Sequence, residues 1–327
     1  MHVRKARWLV AVALVSIAAG AGAADAQWVP KMPIRVVVPF APGGPTDIAA
    51  RHLAKKLTEL FGVAVVVDNR AGANGMIGAE LVAKSKPDGY PLLMPTSSTM
   101  AINPAVYAKL PYDPIRDFAP VTPVVSGPVL LVVTPSLPAR SVKELVSIAK
   151  SHPGELVFAS TGAGSNTHIA LELFRDQAGI KIVHVPYKGA GPAVTDVIGG
   201  QAQAMFADLP VLTPFVKAGR LRVLAVAGFD RTPMFPDVPA MKELGYPRFN
   251  ARQWYGVFAP AGTPREIVMK LNESIRLAVA SPELRERYAE IGADIFVSSP
   301  EEFAVFLKSE IDRWQAIVKK YGIVLEP

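Results

Sequence analysis

The chain has 327 residues, half of them hydrophobic, with 30 prolines, no cysteine and a formal net charge of +7. That length supports one large domain or two of moderate size with a sizeable core. The lack of cysteine excludes a disulfide scaffold and a lipid anchor on an N-terminal cysteine, and the basic excess is dispersed rather than gathered into a nucleic-acid stripe.

At the N-terminus Arg4, Lys5 and Arg7 precede an uncharged apolar run from Trp8 to Ala24, and Ala24-Asp25-Ala26 fits the small-residue cleavage pattern. Residues 1–26 read as a cleavable signal peptide, and the run is short for a bilayer span. The mature chain is expected to be exported.

The first organising stretch is Val36-Val37-Val38-Pro39-Phe40-Ala41-Pro42-Gly43-Gly44-Pro45-Thr46-Asp47. Apolar β-formers run into a Pro/Gly turn, and Ala49, Leu53, Leu57 and Leu60 follow at helical spacing. The pattern predicts strand, glycine loop and helix, with Thr46 or Asp47 as N-cap. Free amides and the positive end of the helix dipole then face whatever sits above the strand, which suits a carboxylate or a phosphate. Val63 to Val67 predicts a second strand, followed by a glycine-rich loop over Asp68 to Gly75 and a helix over Met76 to Lys84. Leu92-Leu93-Met94 predicts a third strand, ending in Thr96-Ser97-Ser98-Thr99. Ligands of open parallel sheets bind beyond the carboxyl ends of strands, where these loops fall.

Residues 111–128 are proline-rich and read as a connection between two lobes. Val129 to Val133 opens a new series, and Ser141-Val142-Lys143-Glu144 is a capping box for a helix to Lys150. Leu156-Val157-Phe158-Ala159 then runs into Ser160-Thr161-Gly162-Ala163-Gly164-Ser165-Asn166-Thr167 and a helix from His168 to Gln177. This repeats the strand, glycine loop and helix, so two helix N-termini are expected to face each other across one cleft. Lys181 to Val185 is a strand, followed by a loop at Pro186 to Gly191 and a helix to Ile198. A short strand, Ala202 to Ala207, delivers Asp208, which either caps the next helix or points a carboxylate into the cleft. Leu221 to Ala227 is an apolar strand that could lead back to the first lobe. After a proline-rich loop and a strand at Trp254 to Ala259, three helices are expected to start with proline at the first helical position: Pro264, Pro282 and Pro300.

Enzyme chemistry finds little support. Gly162-Ala163-Gly164 begins like a dinucleotide fingerprint, but Thr167 stands at the third glycine position and the next strand ends without an acid. There is no P-loop, no H-E-x-x-H and no G-x-S-x-G, and His2, His52, His152, His168 and His184 lack metal-ligand spacing. No metal or cofactor is expected. His168, in the first turn of its helix, reads as an orienting or capping group or as a ligand contact.

Taken together the motifs resemble the Bug family, the periplasmic solute-binding components of tripartite tricarboxylate transporters. The resemblance rests on Val38-Pro39-Phe40-Ala41-Pro42-Gly43-Gly44 with Asp47, Asp68-Asn69-Arg70-Ala71-Gly72-Ala73-Asn74-Gly75, Lys86-Pro87-Asp88-Gly89-Tyr90, Ile102-Asn103-Pro104 and Tyr112-Asp113-Pro114. It continues through Ser160 to Ser165 with His168, His184-Val185-Pro186-Tyr187-Lys188-Gly189, Trp254-Tyr255-Gly256 and Ala259-Pro260-Ala261-Gly262-Thr263-Pro264. These cover essentially the whole mature chain.

The resemblance implies an α/β two-lobed periplasmic-binding-protein fold of type II, with two crossover strands and a cleft between lobes. Lobe one is expected in residues 27–126 and 230–327, and lobe two in 127–229. It also implies a monomer in the periplasm, without catalysis, that captures a small carboxylated solute by hinge closure and delivers it to membrane transporter subunits; no nucleic acid is involved. Family sites use loop backbone, hydroxyls and bridging water more than an arginine clamp. Carried onto this sequence, the ligand-binding candidates are Phe40, Ala41, Gly43, Gly44, Thr46 and Asp47 on the first loop, and Ser97 and Thr99 on the third. The second lobe adds Ser160, Thr161, Gly162, Gly164 and Asn166, with Asp208 at its strand end. Thr96 to Thr99 is hydroxyl-rich where many relatives place a histidine, so the resemblance transfers no substrate. The competing readings are a solute sensor for a signalling partner, and an exported hydrolase or lyase using His168 or Asp208 as base.

Overall fold

The computed structural model describes residues 28–247 and 249–321. The signal-peptide expectation falls on residues 1–26 and lies outside them. The chain builds two sheets. From the N-terminal side come β1 (Ile34–Val38), α1 (Pro45–Phe61), β2 (Val65–Asn69), α2 (Met76–Ala83) and β3 (Pro91–Leu93). A π-helical turn at Ser98–Ile102 leads into the short α3 (Asn103–Val106) and then β4 (Phe118–Gly127). The next series is β5 (Val129–Val133), α4 (Val142–Ser151), β6 (Val157–Ser160), α5 (Asn166–Ala178), β7 (Val183–Pro186), α6 (Ala190–Ile198), β8 (Ala204–Asp208), α7 (Leu209–Lys217) and β9 (Arg222–Val226). The chain closes with β10 (Gln253–Pro260), α8 (Arg265–Ala280), α9 (Pro282–Glu290), β11 (Asp294–Ile295) and α10 (Pro300–Tyr321).

The six-stranded sheet has the order β11-β4-β10-β3-β1-β2, and the five-stranded sheet β7-β6-β8-β5-β9. In the first, β1 pairs parallel with β2 and β3 while β10 runs antiparallel. In the second, β6 pairs parallel with β7 and β8, and β5 runs antiparallel to β8 and β9. Central strands such as β5 and β10 are buried along their whole length, which is why they read as continuous apolar runs rather than alternating ones. The amphipathic α1 buries Ala49, Leu53 and Leu57 against β1 in a core shared with Leu271 and Ile275 of α8.

Residues 111–128, expected to be a connection, instead contain the ten-residue β4, paired with β10. Its prolines disguise it: Pro120 and Pro123 lie opposite Phe258 and Gly256, where the register shifts. A proline has no ladder N–H to give, and bulges are where a buried strand tolerates it. The chain passes between sheets at Pro128, which alone separates β4 from β5, and again just before β10. Residues 230–251, expected in the first lobe, remain with the second sheet over much of their length. Val226 N donates to Pro239 O, Ala251 N donates to Ala227 O, and Phe249 stacks on Phe206 of β8.

Helix starts follow local chemistry. Ser141 and Ser165 accept from Glu144 N and His168 N, and Ser299 with Glu302 forms a reciprocal capping box. Pro282 and Pro300 open their helices, whereas α8 begins one residue after Pro264. Neither Thr46 nor Asp47 caps α1: Gly44 holds the N-cap position and Pro45 is the first helical residue. Among the described residues, no helix is long and apolar enough to cross a membrane.

Candidate functional site

A chamber of about 120 Å3 lies where the carboxyl ends of strands from both sheets meet. From the six-stranded side come Phe40, Ala41, Gly43, Gly44 and Thr46 beyond β1, Thr96 beyond β3 and Gln253 at the start of β10. From the other side come Thr161 beyond β6, Lys188 to Pro192 beyond β7, and Asp208 at the end of β8. The first turns of α1 and α6 therefore both open onto the chamber. Their early amides, those of Thr46 and Asp47 in α1 and of Ala190 and Gly191 in α6, have no partner within their own helices. Each helix also points the positive end of its dipole at the same space.

The loop after β1 is held from behind. Asp47 Oδ2 accepts from Gly43 N (2.9 Å) and Arg51 Nε (2.9 Å), and Oδ1 accepts from Asn69 Nδ2 (3.0 Å). Asn69 Nδ2 also reaches Phe40 O (3.1 Å). Burial raises the Asp47 pKa, but the hydrogen bonds from Arg51, Gly43 and Asn69 outweigh it, and the carboxyl is held below its ordinary range. Asp47 is thus turned away from the chamber and fixes the loop. Gly43 adopts φ +78°, a left-handed conformation that glycine takes without strain.

Among the described residues, Asp208 is the one carboxylate on the wall. It is 7% exposed. Oδ2 accepts from Tyr255 OH at 3.2 Å, a bond between the two sheets, while the buried Oδ1 has no hydrogen-bond partner. Burial pushes its pKa up to about 6, against the lowering effect of the Tyr255 bond. Tyr255 is raised well above its ordinary range by burial and by the neighbouring Asp208 charge. Asp208 stands at the N-cap position of α7 without making a side-chain cap.

The remaining candidates lie off the chamber wall. Ser97 donates to Gln253 Oε1, Ser98 Oγ accepts from Asn166 N (3.0 Å), and Thr99 Oγ1 donates to Asn74 O (3.3 Å). The hydroxyl-rich segment therefore braces the two halves and the Gly75 loop. Asn166 is buried and donates its amide to Ala251 O (2.7 Å), so the start of α5 is turned inward rather than toward a ligand. Gly164 N donates to His168 Nδ1 (3.1 Å), and Ser160 Oγ bonds His184 Nε2 (2.7 Å). The His168 and His184 rings stack 4.1 Å apart, with Glu172 and Arg175 behind them. Burial, the neighbouring histidine and Arg175 push His168 down to about 3, and burial with Arg175 pushes His184 down to about 4. Both are neutral scaffolding beneath the Ser160–Ser165 loop. Gly162 lines a second, larger cavity. Among the described residues, no cluster of His, Asp and Glu could hold a metal ion.

Sequence reasoning missed Gln253 and the Lys188–Pro192 loop as chamber residues, and within the Thr96–Thr99 loop it singled out Ser97 and Thr99 where the wall takes Thr96. For Lys188–Pro192 a signal existed: strand, Lys-Gly-Ala-Gly loop and helix follow the same grammar as the two loops singled out. Gln253 lies in a segment with no such mark, and only the sheet order β4-β10-β3 brings it beside the loop that follows β3.

Two α/β units on separate sheets, facing across a cleft at the carboxyl ends of their strands, define a two-lobed binding protein of the periplasmic type. The sequence matches the tripartite tricarboxylate transporter family receptor over residues 49–323. Protein BugT of Bordetella pertussis is 40% identical over 322 residues, covering 98% of this chain and 99% of that protein. A structure described as a periplasmic transporter is 42% identical with a TM-score of 0.87, covering 90% of this chain and 99% of its own. R. palustris Rpa4515, solved with adipate, is 38% identical with a TM-score of 0.88, covering 91% and 99%. The chain belongs to the tripartite tricarboxylate transporter receptor family, whose members are periplasmic solute-binding proteins.

Proposed function

We propose that the protein captures a small carboxylated solute in the inner chamber, without catalysing a reaction on it, and hands it to the membrane subunits of a tripartite transporter. The supporting observation is that the N-termini of α1 and α6 meet at one chamber lined also by Asp208, a buried carboxylate with one oxygen unpartnered. The solute carboxylate lies between the first-turn amides of the two helices, beside Phe40, Ala41, Gly43, Gly44 and Thr46, with Thr161 opposite. Each dipole contributes roughly 0.3–1 kcal/mol, up to ~2 when partly buried. Asp208 Oδ1 accepts a hydrogen bond from an amine or hydroxyl on the solute, or, protonated, donates to its carboxylate. Asp47 is a positioning residue, and Ser97, Thr99, Ser160, Gly162, Gly164 and Asn166 support the loops around the chamber. The adipate held by the relative from R. palustris favours the carboxylate class.

In this reading residues 1–26 direct export and are removed, and the mature chain works as a monomer. One lobe comprises the segments up to Gly127 and from Arg252 onward, and the other the residues between. Closure about the two crossings buries the solute and expels water. The test is a thermal-unfolding screen of the mature protein against mono-, di- and tricarboxylates and acidic amino acids. A true ligand at a hundredfold excess over its Kd stabilises by about 2.7 kcal/mol. No shift with any carboxylate, together with turnover of an ester or organic acid, overturns the reading.

A further inference from the structure

A second cavity of about 480 Å3 adjoins the inner chamber, the two sharing Phe40, Ala41, Thr161, Lys188 and Gly189. Its walls differ in kind. Tyr107 and Tyr187 face it from opposite halves of the molecule, and Phe40 lies where the cavities join. Both tyrosine hydroxyls are already engaged: Tyr107 donates to Ala163 O (3.2 Å) across the cleft, and Tyr187 donates to Asp196 Oδ2 (2.6 Å). Their hydroxyls are thus committed within the protein, and each tyrosine also packs against the hydrophobic core. The amide of Asn74 is likewise used, donating to Asn103 Oδ1 (2.7 Å).

The floor is backbone. Gly72, Ala73, Asn74 and Gly75 have φ of +140°, +46°, +49° and +87° in succession. Left-handed Ala and Asn are strained and persist where the surroundings impose them, often around ligands. A Cβ on Gly75 would collide with Thr99 Oγ1. The loop carries no side chain larger than that of Asn74. The one charged side chain on this wall is Lys188, and it stands at the junction with the inner chamber, where a bound carboxylate neutralises it.

We infer that the outer cavity is a subsite for an aromatic tail, so that the preferred solute is a carboxylate carrying a ring on a short spacer. The inference rests on the carboxylate reading above. The volumes decide the placement. A cavity of ~150 Å3 holds a benzene ring. The inner chamber, at about 120 Å3, takes a carboxylate head and its α-carbon but no ring, whereas the outer cavity has ample room. Rings pair with rings offset or edge-on at centroid distances of roughly 4.5–7 Å, and the lining carries one tyrosine from each half, with Phe40 at the junction. A ring seated there touches both halves and therefore favours the closed form.

The experiment is calorimetry of the mature protein with matched pairs, L-phenylalanine against L-alanine and 3-phenylpropionate against propionate, with adipate alongside. The expected result is a ring increment of roughly ten- to a hundredfold in affinity in the pair whose head is accepted. Tyr107→Ala then reduces the ratio of ring-bearing to ringless affinity several-fold, and Tyr107→Phe, which keeps the ring and loses only the bond to Ala163, restores it. The inference is overturned if adipate, propionate or alanine binds and the ring adds nothing. It is equally overturned if Tyr107→Ala lowers both members of a pair together and leaves their ratio at the parental value, the signature of a structural defect. Failure of every carboxylate, with or without a ring, overturns the carboxylate reading and this inference with it.

Discussion

Replacing Asp208 with asparagine separates charge from shape at the floor of the chamber. Asn keeps an acceptor for Tyr255 OH and nearly the same volume, but cannot ionise. The Asp208 pKa is raised from its ordinary value of 3.8 to about 6. A group that holds its proton more tightly in the folded state gives stability that is fully present below about 3.8 and is lost as pH rises through about 6. At ~1.4 kcal/mol per tenfold change in proton affinity, the ionised, solute-free protein carries a penalty of about 3 kcal/mol at pH 8. Asp208→Asn is therefore expected to be more stable than the parent by up to about 3 kcal/mol at pH 8. The advantage shrinks below pH 6 and disappears near pH 4. Urea unfolding at pH 8, 6 and 4 measures it. Calorimetry on the same proteins with aspartate, glutamate and succinate gives the functional half: the variant loses affinity for an ammonium-bearing solute and keeps or gains affinity for a plain dicarboxylate. Equal stability of the two proteins at all three pH values refutes the desolvation argument, and equal affinity for every solute refutes contact between Asp208 and the ligand.

Gly43→Val forces a β-branched residue into φ +78° at the mouth of the chamber; it is expected to lower stability by about 1–2 kcal/mol and to weaken carboxylate binding at least tenfold, read by thermal unfolding and calorimetry. Asp47→Ala releases Gly43 N, Arg51 and Asn69 together; affinity is expected to fall with faster solute dissociation, which stopped-flow fluorescence measures. The stacked His168 and His184 have folded pKa values of about 3 and about 4, below the ordinary 6.5. The unfolded chain binds these protons first, so stability is expected to fall as pH drops below about 6.5, by about 2 kcal/mol per histidine at pH 5; a flat profile from pH 7 to 5 in denaturant titrations excludes this. Lys188→Met is expected to slow association of an anionic solute and to flatten its salt dependence.

The part of the site nearest the N-terminus was legible because one local rule wrote it. A strand, a glycine loop and an amphipathic helix in immediate succession leave the chain little choice, and Phe40 to Thr46 lie where that rule put them. Asp208 was legible as a polar residue ending a short apolar strand. The loop opposite was read only in part, because two loops of the second sheet share the grammar and the chamber takes Thr161 from one and Lys188–Pro192 from the other. The rest of Ser160–Asn166 is drawn away from the wall with the start of α5, which long-range bonds hold, Asn166 N to Ser98 Oγ and Asn166 Nδ2 to Ala251 O, that no local pattern encodes. Strand β4 was hidden for a related reason: two prolines that punctuate a sequence are absorbed by bulges once β10 lies alongside.

The way the chain crosses between its two halves has a mechanical consequence. One crossing is a single proline, Pro128, whose φ is locked near −65° by its ring. The other, just before β10, is fastened to it, because Arg252 Nε and Nη2 donate to Ser126 Oγ at 3.2 and 3.0 Å and the same guanidinium pairs with Asp294. If closure turns about these crossings, as the proposed function has it, a stiff pivot beside a clamped one favours rotation about a single axis over twist and slide. The molecule then behaves as a pair of jaws on one pin. On the proposed reading, closure about these pivots brings the two outer faces of a loaded copy toward one spacing, which gives a membrane partner a gauge of occupancy that does not depend on touching the cargo.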